Sequence, residues 1–148
     1  MTIQYQYISR PTGLSAILLT FHEHIDGMEP MANTIPEAAT GSKSSPLHRA
    51  FIRELLLGQD PSGYISLCNV IATAQPPNYE AVKVPYLLIA GQDDKSAPLN
   101  GCKYIYEGVA SQNKVLEILP GVGHWHCIEA ADEVGKLISD FSQAIEST

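Results

Sequence analysis

Basic residues are scarce in this sequence, and long apolar runs are missing from it. Lysine and arginine total nine against sixteen aspartates and glutamates, which gives a formal net charge of -7 over 148 residues. Because no stripe of Lys or Arg occurs, we expect neither nucleic acid nor an anionic membrane surface as a partner. No apolar run approaches the roughly 18 residues that a membrane-spanning helix requires. We therefore expect no membrane anchor.

Cysteine is also rare. Cys68, Cys102 and Cys127 are odd in number and lack C-x-x-C spacing, so they predict neither a disulfide framework nor a cysteine-based zinc site. We expect them to be small core residues. Residues 1–7 lack the basic segment and the apolar core of a secretory signal. These features together favour a reducing, cytoplasmic location.

The amino-acid composition is typical of a folded, globular protein. Apolar residues make up 45% of the chain and charged residues 17%, which excludes a disordered protein. A chain of 148 residues fits one domain or part of a larger one. The sequence predicts a possible edge or remnant strand in residues 1–20, a helical region in residues 21–78, and a core of alternating strands and helices in residues 79–148.

The helical region contains two clear helix starts. Ser45-Pro46 and Asp60-Pro61 each place an N-cap residue before a proline at the first helical position. The first helix is expected to end near Gly58, while residues 23–33 are weakly helical and residues 40–45 form a polar loop. Apolar residues at helical spacing predict one buried face on each helix. These residues are Leu47, Ala50, Phe51 and Leu55 on the first helix, and Tyr64, Leu67, Cys68, Ile71 and Ala72 on the second.

The C-terminal core alternates strand and helix. Residues 82–90 form a nearly continuous apolar run, typical of a parallel strand that is covered on both faces. A helix opens at Pro98, and residues 115–119 predict a second strand. The final helix carries an apolar stripe of Val134, Leu137, Ile138, Phe141 and Ile145. This order predicts an α/β fold with a parallel sheet and a right-handed crossover, in which residues 14–19 are a candidate third strand.

Polar residues follow both predicted strands. Asp94 comes just after the first strand, and His124 follows the glycine turn at residues 121–123. Because neighbouring parallel strands end at the same edge of a sheet, we expect the two side chains to meet. The carboxylate would then fix the tautomer of the imidazole, whose other nitrogen acts as a base. The structural alternative is that Asp94 caps the next helix or satisfies its loop, and that His124 is a turn histidine.

Residues 82–98 (VKVPYLLIAGQDDKSAP) and 118–141 (ILPGVGHWHCIEAADEVGKLISDF) resemble the C-terminal part of α/β-hydrolases, in particular esterases and lactonases similar to 3-oxoadipate enol-lactonases. The resemblance implies that Asp94, in a G-x-x-D motif, is the acid of a catalytic triad, and that His124, in G-x-G-H, is its histidine. Asp93 is the alternative acid, one residue short of the pattern. By the same resemblance, residues 47–74 form a small helical cap over the active site.

The nucleophile motif of that family does not occur in the sequence. These enzymes carry their serine in a G-x-S-x-G elbow. The nearest stretch is residues 13–17 (GLSAI), in which Ile17 stands where the elbow requires almost no side chain, so Ser15 fits poorly. The HG-type loop that supplies an oxyanion-hole N–H is missing as well. We therefore expect a partial α/β-hydrolase fold of a few parallel strands, flanking helices and a helical cap, without the family's N-terminal half.

The resemblance implies an ancestral hydrolysis of a carboxylic ester or lactone, with a small-molecule substrate and no cofactor. Two other classes of function stay open. One is a non-catalytic remnant or binding protein, and the other is a lyase or isomerase that uses Asp94 and His124 alone. A thin sheet with an unpaired edge also predicts self-association.

Three further features have structural interpretations. The H-x-H pairs at residues 22–24 and 124–126 have a spacing that suits metal ligands, but the first lies in a predicted exposed helix and His124 is already assigned, so we expect no metal. Trp125 either lines a substrate pocket or, as we expect, packs under the last helix. Glu129 suits the N-terminus of that helix better than a role as catalytic acid.

Overall fold

The computed structural model describes residues 27–147. Its elements in chain order are α1 (Glu29–Ala38), α2 (Pro46–Leu57), α3 (Pro61–Thr73), β1 (Tyr86–Gly91), α4 (Leu99–Gly108), β2 (Lys114–Leu119), α5 (His126–Glu129) and α6 (Ala131–Glu146). The candidate strand at residues 14–19, Ser15 and the first H-x-H pair lie outside the described residues.

The two helix starts in the helical region are confirmed. The Ser45 hydroxyl accepts a hydrogen bond from the His48 N–H, and the His48 ring accepts one from the Ser45 N–H, which together form a capping box at α2. At α3, the Asp60 carboxylate accepts from the Gly63 N–H. A short turn after Gly58 joins the two helices, and we call α2 and α3 the helical hairpin.

The face predicted to be buried on α2 is largely exposed, and that prediction was wrong. The fully buried residue is Ile52, which packs with Leu56 against Ala32 of α1, whereas Phe51 is 54% exposed. Apolar residues occur on two sides of α2, and spacing does not show which side another helix covers. The large apolar residues left exposed on the hairpin are Leu47, Phe51, Leu55, Leu67, Val70 and Ile71.

The helix before the hairpin runs further than predicted. We expected weak helix over residues 23–33, but α1 extends from Glu29 to Ala38 with Pro36 inside it. Met31 and Ala32 are buried on this helix. Burial of these side chains outweighs the loss of one backbone hydrogen bond at the proline. After the helix, the Thr40 hydroxyl donates to the Pro36 carbonyl at 2.7 Å.

The two predicted strands of the core form a parallel pair. Tyr86 lies opposite Lys114, and Gly91 lies opposite Leu119. The first strand begins at Tyr86 rather than at residue 82, because Pro85 has no N–H to give to the ladder. The strands are half-buried along most of their length and fully buried only near their C-terminal ends. Coverage on both faces, as the apolar run predicted, is therefore partial in the described part of the chain.

A small core lies where the strands end. Leu119, Val122 and Val134 form a buried cluster, with Leu137 of α6 packed against it. The apolar stripe of the last helix is thus confirmed at its start, while Ile138 is half-exposed. Lys114, the first residue of β2, links that strand to the C-terminus of α4. Its ammonium group donates to the Tyr106 and Val109 carbonyls at 2.8 and 2.7 Å.

The cysteines do not all behave as core residues. Cys68 is buried and Cys102 is half-buried, but Cys127 is exposed, so the expectation was wrong there. Burial raises the pKa of the Cys68 thiol. No helix within residues 27–147 combines the length and apolar character needed to cross a membrane.

Candidate active site

Asp94 and His124 meet as predicted from the strand order. The parallel pairing of β1 and β2 places both following turns at one edge of the sheet. There, His124 Nδ1 lies 2.9 Å from Asp94 Oδ2. The Asp94 side chain is only 6% exposed, whereas the His124 side chain is 47% exposed. A buried carboxylate thus holds one nitrogen of a ring that is open to solvent, which is the arrangement that leaves the other nitrogen available as a base.

The second oxygen of Asp94 carries out the structural role that we weighed as the alternative. Asp94 Oδ1 accepts hydrogen bonds from the backbone N–H groups of Ser96 and Ala97 at 2.7 and 2.8 Å. These bonds fix the loop before α4 and hold the carboxylate in one orientation. The structural and chemical roles therefore do not exclude each other, because each uses a different oxygen.

Three backbone segments pack closely around this pair. They are residues 39–42, 91–97 and 121–125, which we call the turn cluster. A Cβ atom added at Gly41 would lie 2.4 Å from the Gly121 carbonyl oxygen, and one added at Gly91 would lie 2.4 Å from the Gly123 carbonyl oxygen. Glycine is therefore required where these backbones meet.

The chain has close structural relatives among solved proteins. It resembles the enol-lactonase from Burkholderia xenovorans LB400 with a TM-score of 0.76 and 25% sequence identity, over 90% of this chain and 51% of that one. It also resembles a thermophilic esterase from Thermogutta terrifontis, with a TM-score of 0.75 and 16% identity over 90% and 51% of the two chains. A bromoperoxidase from Bacillus anthracis gives a TM-score of 0.74 and 16% identity over 90% and 49%.

The chain has a partial α/β-hydrolase fold. It spans about half the length of these solved structures, as the covered shares of 51% and 49% show. No protein-family model matches it, and no curated protein sequence matches it. The expectation of a partial α/β-hydrolase is confirmed by this likeness, which agrees with the motifs around Asp94 and His124.

In this α/β-hydrolase fold, Asp93 is not the partner of the histidine. Asp93 Oδ2 instead accepts from the Ser42 N–H at 2.9 Å and from the Ser42 hydroxyl at 2.8 Å. Two hydrogen bonds lower the pKa of Asp93 below its usual value. The larger effect comes from the Ser42 N–H and the smaller one from the Ser42 hydroxyl. Of the two adjacent acids, Asp94 therefore faces His124, and Asp93 ties the first segment of the turn cluster to the second.

An open groove of about 460 Å³ lies beside Asp94. Residues 40–42 form one wall and residues 92–95 form the other. Cys102 lies close to the same acid, and burial, together with the negative charge of Asp94, raises the pKa of its thiol. The thiol is thus held in its neutral form, which disfavours Cys102 as a nucleophile.

Glu129 was assigned to the wrong role by the sequence. It is the last residue of α5 and is 7% exposed. Its carboxylate accepts hydrogen bonds from the backbone N–H groups of Gly41, Gly123 and Trp125 rather than from those of α6. Its partners lie in two segments of the turn cluster. A signal for this role was present in the sequence as an acidic residue five positions after His124, but its main partner, Gly41, is 88 residues away.

Trp125 also differs from its prediction. Its ring packs against the buried cluster of Ala32, Ile52 and Leu56, together with Ile128, and not under α6. The tryptophan therefore joins the turn cluster to the helices that precede it. Among residues 27–147, no group of three or more His, Cys, Asp or Glu side chains is arranged to hold a metal ion.

Proposed function

We propose that this chain carries the acid and the base of a hydrolase that acts on a carboxylic ester or lactone. The observation that supports this most directly is the 2.9 Å contact between the buried Asp94 carboxylate and the half-exposed His124 ring. The proposal also draws on the structural likeness to an enol-lactonase and an esterase.

The pair is suited to move one proton in each direction. With Nδ1–H donated to Asp94, Nε2 of His124 takes the proton of the attacking hydroxyl and later returns it to the leaving oxygen. Asp94 stabilises the imidazolium that forms between these steps. The Ser96 and Ala97 N–H groups keep the carboxylate from turning away from the ring.

In our proposal, the attacking hydroxyl comes from outside residues 27–147. The sequence has no G-x-S-x-G motif, and Ser15, in the nearest stretch, lies outside the described residues. Within the described part of the chain, β1 pairs with β2 only, so each strand has one open side. In our proposal, strands that carry a serine elbow add to this sheet from a complementary polypeptide, and the chain alone is a weak catalyst.

The test is the hydrolysis of nitrophenyl acetate by the full chain and by His124→Ala. General acid–base catalysis contributes about 10²–10⁴-fold to a rate, so the variant should lose most of the rate of the unaltered chain. Exposed imidazoles also cleave such esters slowly, and His48→Ala, which removes a histidine from the first turn of α2, is the control. We expect His48→Ala to keep the rate of the unaltered chain. Equal background rates for all three proteins would refute hydrolysis by this chain alone.

A serine-directed fluorophosphonate probe locates the nucleophile. Labelling of Ser15 would place a complete triad within this chain and overturn the view that the serine comes from elsewhere. Ester cleavage that depends on His124 without any labelling would support a base that activates water.

Proton transfer without a nucleophile is a second candidate, because the Asp94–His124 pair is assembled while the elbow motif is missing from the sequence. A lyase or isomerase of this kind would exchange an acidic C–H of its ligand with deuterium from solvent. It would do so without cleaving an ester, and His124→Ala would abolish the exchange.

A further inference from the structure

We propose that Glu129 is a positioning residue that holds the backbone on both sides of His124 and thereby aims its ring at Asp94. The inference rests on the proposed function only in treating His124 as the base. It is drawn from a buried carboxylate whose hydrogen bonds within residues 27–147 all come from backbone N–H groups.

The carboxylate of Glu129 uses both oxygens. Oε2 accepts from the Gly41 N–H at 2.7 Å and from the Gly123 N–H at 3.2 Å, and Oε1 accepts from the Trp125 N–H at 3.1 Å. With Glu129 only 7% exposed, a charge here is costly unless it is hydrogen-bonded. Three N–H donors compensate it, and hydrogen bonds to a charged acceptor are the strong ones.

His124 lies between two of these donors. The N–H groups of Gly123 and Trp125 are fixed by Glu129, and the N–H of His124 itself donates to the Ala39 carbonyl at 2.8 Å. Three consecutive amides are therefore held. The side chain of His124 is 47% exposed, so packing constrains the ring only in part. The direction of its Cα–Cβ bond, and hence its contact with Asp94, depends on this backbone.

The Gly41 bond joins the histidine turn to the start of the groove. The backbones at Gly41 and Gly123 are so close that a Cβ on Gly123 would lie 2.5 Å from the Gly41 nitrogen. Oε2 bridges the two N–H groups at this point. Glu129 thus holds residues 39–42, which form one wall of the groove, against residues 121–125, which carry the base.

Glu129→Gln is the primary variant, because it keeps the shape of the side chain. Only one of its two terminal atoms accepts hydrogen bonds. If the oxygen stays at the Oε2 position, the bonds to Gly41 and Gly123 survive and the Trp125 N–H faces an NH₂ group. We therefore expect hydrogen exchange at Trp125 to accelerate on the order of 10- to 100-fold. Exchange at Gly41 and Gly123 should change less.

The decisive readout is the tautomer of His124, measured by ¹H–¹⁵N correlation of the ring nitrogens at a pH where the ring is neutral. In the unaltered chain we expect a single form protonated on Nδ1, as the bond to Asp94 requires. In E129Q we expect ring-nitrogen signals that are averaged between the Nδ1–H and Nε2–H tautomers of His124. Glu133→Gln, which changes an exposed glutamate of α6, is the matched control and should leave His124 unchanged. A folded E129Q with an unaltered His124 tautomer would overturn the proposal.

If E129Q fails to fold, hydrogen exchange of the backbone amides in the unaltered chain tests whether Glu129 bridges the two segments. The Gly41, Gly123 and Trp125 amides should then be protected as a group. Fast exchange at Gly41 with protection at the other two would refute the bridge. None of these readouts uses ester cleavage. Failure of the esterase test with an altered His124 in E129Q would thus refute hydrolysis by this chain alone and leave the role of Glu129 in place.

Discussion

The turn cluster and the helical hairpin are stabilised in different ways. In the turn cluster, backbones approach closely at glycines, and the buried carboxylates of Asp94 and Glu129 accept backbone N–H groups. In the helical hairpin, one apolar face packs on α1 through Ile52, and another apolar face is exposed. In the first region, backbone N–H groups are paired with the carboxylates of Asp94 and of Glu129 in α5. The second region has apolar surface that nothing within residues 27–147 covers.

This difference separates a region held by polar contacts within residues 27–147 from one that exposes apolar side chains. The geometry of the Asp94–His124 pair needs only groups that are present in the described part of the chain. The exposed side of the hairpin, which includes Phe51, presents large apolar side chains to solvent in the described part of the chain. The two regions touch where Trp125 packs against the cluster of Ala32, Ile52 and Leu56, so a change in the hairpin core can reach the turn after β2.

The largest expected effect separates the two faces of the hairpin. Ile52→Ala removes a fully buried side chain and should lower the free energy of unfolding by about 2–5 kcal/mol. Phe51→Ala, at the neighbouring exposed position, should change it by no more than about 0.5 kcal/mol. Urea unfolding of both variants measures the contrast. Equal losses would mean that the exposed face is covered in solution, and the comparison would fail.

A smaller effect tests the close backbone approach in the turn cluster. Gly41→Ala places a Cβ 2.4 Å from the Gly121 carbonyl oxygen and 2.6 Å from the Gly123 nitrogen, where backbone cannot give way cheaply. We expect a loss of about 1–3 kcal/mol in urea unfolding. The control is Gly135→Ala in α6, where the new atom meets nothing within 4 Å. It should stabilise the helix by up to about 1 kcal/mol. A neutral Gly41→Ala would show that the segments are not packed as described.

The smallest effect concerns acid stability and uses one carboxylate from each region. Hydrogen bonds from the Ser62 side chain and the Gly63 N–H lower the pKa of Asp60 in the hairpin, and bonds from Ser42 lower that of Asp93 in the turn cluster. Since both folded pKa values lie below the usual 3.8, each acid stabilises the fold above that pH and loses its contribution as the pH falls through the folded value.

Asp60→Asn and Asp93→Asn should therefore each reduce the acid dependence of the urea midpoint below pH 3.8, by a small amount because both groups are exposed. Near neutral pH, Asp60→Asn should keep most of its stability, since asparagine also caps a helix. A midpoint that falls with acid as steeply in both variants as in the unaltered chain would contradict these assignments.

Much of the core could be predicted from the sequence. The order of strands and helices, the helix starts at Ser45 and Asp60, and the meeting of Asp94 with His124 all follow from local patterns. Parallel strands bring their C-terminal ends to one edge, so two short motifs are enough to place the pair. Its catalytic role, the domain boundaries and the partners stay predictions.

The rest could not be predicted, because it depends on contacts between distant segments. The role of Glu129 requires Gly41, which is 88 residues away in sequence, and Trp125 turns to the hairpin core rather than to α6. On α2, apolar residues on two sides gave no basis for choosing Ile52 over Phe51 as the buried one.

The sequence by itself determined the local elements and that an aspartate after β1 would lie near His124. Caps, prolines and apolar periodicity act within a few residues, and their hydrogen bonds form wherever the chain goes next. Only the tertiary structure decided which helix face is buried, which of two adjacent acids faces His124, and what Glu129 holds. The buried helix face depends on the packing of α2 against α1. The other two outcomes depend on how closely the backbones approach at Gly41, Gly91 and Gly123, and that distance is set by the packing of the whole fold.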